Sequence, residues 1–357
     1  MHIDERKKLL KRTESKLIQL PWYVKEFIEY SKRKRSPNTL LNYTLDYITF
    51  FDWLISEGFY KGERVDIPIE VLESLRFSDI DRFGDFLSFE HNNAPESVDR
   101  KYAALKSLFH YLSQISEDEH NFPYLKRNVM IKVQSSNNEK STLEDKAARI
   151  ENKILLDDEI FDFRLFVAEG FKETIKDNRR ILNSHLKNME RDLALISLIL
   201  GSGMRISETI ALDLNDIDRL KSKLSVTRKG NKKDSVTISD IALQDLTSYL
   251  QIRESRYHVT EQQTAVFLSL PTGPSGKTNR LTVRAAQKMM ERYAKAFGKP
   301  GLSMHKLRHT FATKYNKENN NLGALKEQLG HTDVNVTMIY THIGNEDRRK
   351  SVNKADS

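Results

Sequence analysis

Four short stretches in the C-terminal half of the chain combine residue types that a solvated surface rarely needs. They are Gly203-Met-Arg205-Ile-Ser-Glu208, Arg228-Lys229-Gly230-Asn231-Lys232, His305-Lys-Leu-Arg308-His309, and Leu329-Gly330-His331 followed nine residues later by Tyr340-Thr341-His342. Guanidinium forks match phosphoryl oxygens in bidentate fashion. Lysine and histidine move protons, and a phenol becomes a nucleophile once its proton is drawn off. Each feature also has a plainer reading. Arg205 could simply pair with Glu208 at i,i+3, and Tyr340 is one of 13 tyrosines. His305 and His309 have the i,i+4 spacing of a zinc helix, but Lys306 stands where such helices carry Glu, and Arg308 between them would repel a dication.

Composition narrows the function classes. The chain has 357 residues, enough for roughly two domains at ~150 residues each. Its 58 Lys+Arg against 50 Asp+Glu give a formal charge of +8 and call for an acidic partner. Cysteine is absent, which excludes disulfides, thiolate zinc sites and a cysteine nucleophile. No apolar run is long enough for a membrane span and the N-terminus has no signal-like h-region, so a cytoplasmic protein without stable membrane association is expected.

The elements that would position these residues can be read from periodicity and punctuation. Residues 1 to 35 hold 11 Lys/Arg and 5 Asp/Glu, a basic arm or helix face. Ser36-Pro37 is a helix start, with a cap oxygen and a proline at the first turn. Leu40, Tyr43, Tyr47, Phe50, Phe51 and Leu54 then commit one face to a core, and Gly58 can close the helix. Val98, Tyr102, Leu105, Phe109 and Leu112 repeat the pattern after a His91-to-Pro95 loop. A helical domain over 1–135 is expected, then a polar linker over 136–150, a second domain over 151–345 and a tail over 346–357. Within the second domain Leu193, Ile196 and Leu200 continue in helical steps. Leu224 to Lys229 and Ser235 to Ile238, separated by Gly230-Asn231, read as a β-hairpin.

The four stretches together resemble the tyrosine recombinases (phage integrase family), and within it the Xer chromosome-dimer recombinases of the single-protein streptococcal type. Ser36-Pro-Asn-Thr-Leu40, Tyr43, Phe50 and Trp53-Leu54 also resemble that family's N-terminal core-binding domain. The resemblance implies a mainly α fold: a two-domain DNA clamp with a helical, SAM-like core-binding domain and a mostly helical catalytic domain carrying a small antiparallel sheet. By motif, Arg205 matches the first catalytic arginine, Glu208 its acidic support, and Lys229 the hairpin lysine. His305 and Arg308 match the His-x-x-Arg pair, His331 the histidine after Leu-Gly, and Tyr340 the nucleophile. Two departures stand out: Arg228 occupies a position where the family more often has glycine, and Met304 one where it often has proline.

Those roles make physical sense. Phenolate attack on a phosphodiester builds negative charge on the non-bridging oxygens, which Arg205 and Arg308 would clamp. The leaving 5′ oxygen needs a proton, from Lys229 or else from Lys232 or Lys233 in the same basic run. Tyr340, with an ordinary pKa near ~10, needs help to ionise; His305 is the candidate for proton handling and His331 for a phosphate hydrogen bond, with His309 and His342 ordering the helix ends. A 3′-phosphotyrosyl bond would store the energy for rejoining, so no cofactor or metal is expected.

DNA contacts are expected from Lys32, Arg33 and Arg35 ahead of the Ser36 cap, from Arg100 and Lys101, and from Lys232. The resemblance further implies double-stranded DNA as partner, a homotetramer on two DNA sites working through a Holliday junction, a tail that packs on a neighbouring protomer, and a membrane-anchored DNA translocase as regulator. A mobile-element integrase would share the chemistry. Many of those carry an arm-binding domain, and only about 20 residues are expected ahead of the first helix here. A non-catalytic DNA-binding protein would have no use for Tyr340 and His305 together.

Overall fold

The computed structural model describes residues 3–134, 142–228, 232–259, 262–271, 276, 278–331 and 335–343. The chain divides into two units, Met1–Lys140 and Ser141–Ser357.

The first unit is helical: α1 (Ile3–Leu17), α2 (Trp22–Ser31), α3 (Pro37–Ser56), α4 (Ile69–Ser74), α5 (Phe77–Asp85) and α6 (Pro95–Gln114). Helix α3 begins as its sequence dictates, with Ser36 Oγ accepting from the Thr39 amide at 3.2 Å and Pro37 in the first turn. Its apolar positions Leu40, Tyr43, Tyr47, Phe50, Phe51 and Leu54 are all buried, and Val98, Leu105, Phe109 and Leu112 of α6 join the same core. Edge-to-face contacts of Phe50 with Phe83 and Phe109 lock that core in orientation as well as area. Helices begin earlier than the sequence reading placed them. The basic N-terminal segment folds as α1 and α2; Leu17 of α1, Leu20 of the turn between them, and Tyr23, Val24, Phe27 and Ile28 of α2 enter the core. Charge on the exposed positions of α1 masks the apolar minority that docks it.

The second unit holds α7 (Leu143–Glu151), α8 (Glu159–Leu165), α9 (Phe171–Thr174), α10 (Arg179–Ser202) and α11 (Ile206–Ala211). Strands β1 (Ile217–Asp218), β2 (Lys223–Thr227) and β3 (Lys233–Thr237) follow, then α12 (Asp240–Tyr257), α13 (Val283–Ala296), α14 (Met304–Asn319), α15 (Leu322–Leu329) and α16 (Asn335–Met338). The antiparallel sheet has the order β1-β2-β3, with Leu224 opposite Val236 and Thr227 opposite Lys233. Leu224, Val226 and Val236 alternate inward onto the core formed around α10, α12 and α13. The expected hairpin is thus present at its described residues; its tip, including Lys229, lies outside them, as do the expected tail 346–357 and the first part of the expected linker.

The rest of that linker is not a linker. Residues 143–151 form α7, started by a reciprocal cap in which Thr142 Oγ1 accepts from the Asp145 amide and Asp145 accepts from the Thr142 amide. Its Ala147 and Ile150 are buried in a small cluster with Ala312, Leu325, Leu329, Tyr340 and Ile343. Two apolar residues in a polar run were enough, because one helical face is all that docks. Among the described residues no helix is long and apolar enough to cross a membrane.

Candidate active site

Arg205 is delivered by a sharp change of direction. Helix α10 ends at Gly203, whose φ of +70° suits glycine, and a Cβ there would stand 2.5 Å from Phe311 and 2.6 Å from Leu329. Two residues on, Arg205 caps α11. Its amide donates to Glu208 Oε2 and its Nη1 to Glu208 Oε1, both at 2.9 Å. The plain reading of an i,i+3 pair is therefore true, yet Glu208 is buried while the Arg205 side chain stays 39% exposed. The guanidinium is held at one end and open at the other.

Helix α14 supplies the second arginine. Ser303 Oγ accepts from the Lys306 amide, so His305, Arg308 and His309 share one face of the opening turns. Arg308 is 2% exposed; it donates from Nη1 to the Gly203 carbonyl at 2.6 Å and from Nη2 to the Leu329 carbonyl at 2.8 Å. Burial, then the neighbouring Arg205, lowers its pKa to about 10.

The Leu-Gly-His segment is a helix end with a purpose. Gly330, at φ +64°, closes α15 with its amide on Glu327 and the His331 amide on Lys326. That arrangement leaves the Gln328 and Leu329 carbonyls over, and arginines take both. His331 Nε2 faces Arg308 Nη2 at 2.9 Å and its Nδ1 faces Thr337 Oγ1 at 2.9 Å. A guanidinium only donates, so Nε2 accepts and Nδ1 carries the hydrogen. Burial and the Arg308 charge bring the His331 pKa down to about 4.

Tyr340 sits in a 3-10 turn (Ile339–Thr341) after α16, buried beneath α7. Its hydroxyl meets His309 Nδ1 at 2.9 Å, and its backbone carbonyl accepts from Asn316 Nδ2. Burial pushes the phenol up to about 12, against the opposing pull of Arg308 and then Arg205. The His309 pKa falls to about 3 through burial and the cations around it. His305 is exposed, packs edge-on to His309 with ring centroids 4.4 Å apart, and is also lowered, by desolvation and then Arg308. His342 lies 3.9 Å from Glu144 of α7.

Sequence reasoning missed Arg228. Marked only as a departure, it is 8% exposed at the end of β2 and donates to Asp234 Oδ2 (3.0 Å), Glu208 Oε2 (3.1 Å), Leu329 O (3.2 Å) and Gln328 O (2.9 Å). The alternation Leu224, Val226, Arg228 puts it on the inward face of the strand, a signal that was legible.

In the first unit the basic residues are more occupied than expected. Lys32 is paired with Glu29 (2.5 Å) and Glu14 (3.6 Å), which raise its pKa, the Glu29 hydrogen bond most. Arg100 and Lys101 both reach Asp46, itself 3% exposed, and so tie α6 to α3. Arg35 donates to Tyr43 and Ser107, whereas Arg33 and, in the second unit, Lys232 are exposed. Among the described residues no group of three His, Cys, Asp or Glu could hold a metal ion.

Residues 174–347 match the phage integrase family. The tyrosine recombinase XerS of Streptococcus gordonii is 35% identical over 362 residues, covering 98% of this chain and 99% of that protein. XerS of Streptococcus uberis is 36% identical over 362 residues with the same coverage. This chain therefore belongs to the tyrosine recombinases, enzymes of site-specific DNA recombination. Both of these relatives are recombinases of the Xer type. Solved structures share the fold: the XerH recombinase bound to a palindromic difH substrate, post-cleavage (TM-score 0.63, 20% identity, 90% of this chain and 80% of that one), and the Tn1549 transposon integrase in complex with transposon right end DNA (TM-score 0.62, 16% identity, 94% and 98%).

Proposed function

We propose that this recombinase resolves chromosome dimers at a dif-like site before cell division, cutting and rejoining duplex DNA through a 3′-phosphotyrosyl intermediate and a Holliday junction. The observation that carries the chemistry is geometric: Glu208 holds Arg205, the end of α15 holds Arg308 against His331, and helix α14, which carries Arg308, also bonds the Tyr340 hydroxyl through His309. The role on the chromosome is supported by XerS relatives that match this chain end to end.

In this reading Tyr340 Oη attacks the scissile phosphorus, the P–O5′ bond breaks, and the leaving oxygen takes a proton from Lys229. Arg205 and Arg308 hold the non-bridging oxygens as charge grows on them, an arrangement whose single donors are each worth on the order of 10²–10³ in rate. His305 moves the phenol's proton once the Tyr340 hydroxyl has left His309, and His331 serves the phosphate, for which its Nε2 must leave Arg308 and take up a hydrogen to donate. A 5′-hydroxyl from the partner strand then attacks the phosphotyrosine, and no cofactor enters. Four protomers on two sites would exchange one pair of strands at a time, in the cytoplasm, under a membrane-anchored DNA translocase.

The test is to incubate the protein with end-labelled fragments spanning the host replication terminus, denature in SDS and look for a protein–DNA adduct. The expected adduct forms at one locus, is sensitive to protease, and disappears in Tyr340→Phe while DNA binding stays. Capture of a fragment from elsewhere in the genome would replace the chromosomal role with that of an integrase; binding without any adduct would overturn the chemistry.

A further inference from the structure

Arg228 shares an acceptor with each of the two arginines read as the clamp. Glu208 divides its oxygens, Oε1 to the Arg205 guanidinium and Oε2 to Arg228 Nη1. The Leu329 carbonyl receives Arg228 Nη1 and Arg308 Nη2 together. From the same residue, the backbone amide donates to the Lys232 carbonyl at 2.8 Å, closing the base of the β2–β3 hairpin, and Nε reaches Asp234 on the facing strand. Gly330 is fitted to this side chain: a Cβ there would stand 2.6 Å from Arg228 Nε and 2.7 Å from Cζ. A buried guanidinium with four acceptors on three separate segments has one permitted position, since leaving any acceptor unpaired forfeits a charged hydrogen bond.

We propose that Arg228 is a positioning residue of the phosphoryl-transfer site, holding the hairpin base in register with Arg205 and Arg308 so that the hairpin's lysine meets the leaving oxygen. The inference rests on reading a hairpin lysine, Lys229, as the proton donor. Arg228 itself touches no reacting atom. Lysine at this position would keep the charge and lose the fork that spans Glu208, Asp234 and two carbonyls.

A bridging 5′-sulfur in the DNA separates this role from a merely structural one. A thiolate leaves without a proton, its conjugate acid having a pKa near ~8.5, so a misplaced general acid no longer matters. Cleavage by the full-length protein is measured on oxygen and sulfur substrates for wild type, Arg228→Gln, Asp234→Asn and Lys229→Ala, with DNA binding and thermal melting alongside. Arg228→Gln is expected to lose about 100-fold on ordinary DNA and to return to within about tenfold of wild type on the sulfur substrate. Asp234→Asn, which leaves the other three acceptors in place, is expected to show a smaller loss with the same recovery, and it carries the test should Arg228→Gln not fold. Arg228→Gln or Asp234→Asn equally slow on both substrates, or Arg228→Gln as fast as wild type on ordinary DNA, overturns the proposal. If Arg228→Gln recovers while Lys229→Ala does not, the proposal stands and another hairpin lysine, Lys232 or Lys233, is the donor.

Discussion

The hydroxyl of Tyr340 is bonded to Nδ1 of His309, 2.9 Å away, one helical turn from His305. With the phenol pushed up to about 12 and the imidazole down to about 3, the proton stays on tyrosine in the free protein. His309 thus orients a neutral phenol. Replacing it with leucine is expected to slow adduct formation up to about tenfold, the equivalent of one hydrogen bond at ~0.5–1.5 kcal/mol, and His309→Gln should restore most of it. Adduct kinetics on a single DNA site read this directly. An unchanged rate in His309→Leu would mean that Tyr340 leaves His309 before attack.

Stability should fall with acid for a related reason. His309 and His331 both have folded-state pKa values well below the ordinary 6.5, so between about pH 6.5 and 4 the unfolded chain binds protons that the folded one refuses. The sign is therefore loss of stability as pH falls through that window, with the contribution fully present above it. Urea midpoints at pH 7.5, 6 and 5 should decline, and less steeply in His309→Gln and His331→Gln. Parallel declines in wild type and variants would place the acid sensitivity elsewhere.

What the sequence disclosed follows from the kind of signal each feature leaves. Arg205, His305, Arg308, His331 and Tyr340 sit in local contexts, a helix cap, one helix face, a glycine-terminated helix, that short motifs preserve. The hairpin and α3 were visible through turn residues and period. Arg228 was masked by a run of seven Lys/Arg between Arg219 and Lys233, where charge suggests solvent; the strand alternation pointed it inward, but its partners on α11 and α15 lie 20 and 100 residues away and leave no local trace. Helix α7 was hidden for the opposite reason: its cap, Thr142 with Asp145, was legible, but the polar run around it suggested a linker. The Tyr340–His309 bond spans 31 residues and leaves no local trace.

The two arginines should fail differently when exchanged for lysine. Arg308 is buried with its fork on the Gly203 carbonyl at one end and on the Leu329 carbonyl and His331 Nε2 at the other, and a lysine reaching only one end would leave Gly203 O or His331 Nε2 without its donor at a cost of about 1–3 kcal/mol. Arg308→Lys is therefore expected to lose both activity and several degrees of Tm, at roughly 2–4 °C per kcal/mol for a unit of this size. Arg205, half-exposed with its partner on the same helix, should lose on the order of 10²–10³ in cleavage rate with little change in melting. Differential scanning calorimetry beside a cleavage assay separates the cases. Equal Tm losses would show that Arg205 holds the fold as much as the phosphate.

The basic residues ahead of α3 should be unequal in binding DNA, although the sequence presents them as one run. Arg33 is exposed, while Lys32 is held by Glu29 and Glu14 and must give up those contacts to meet a phosphate. A phosphate contact releases counterions and steepens the dependence of log affinity on log salt by about 0.9. Arg33→Ala is thus expected to reduce the slope by about that amount, and Lys32→Ala by clearly less, since an ion pair already neutralises its charge. Binding isotherms on one duplex between 50 and 300 mM salt measure both, those concentrations being on the order of the range where the slope is linear. Equal reductions would show that Glu29 and Glu14 release Lys32 on DNA, making the acidic residues part of the binding equilibrium; Glu29→Gln would then tighten binding.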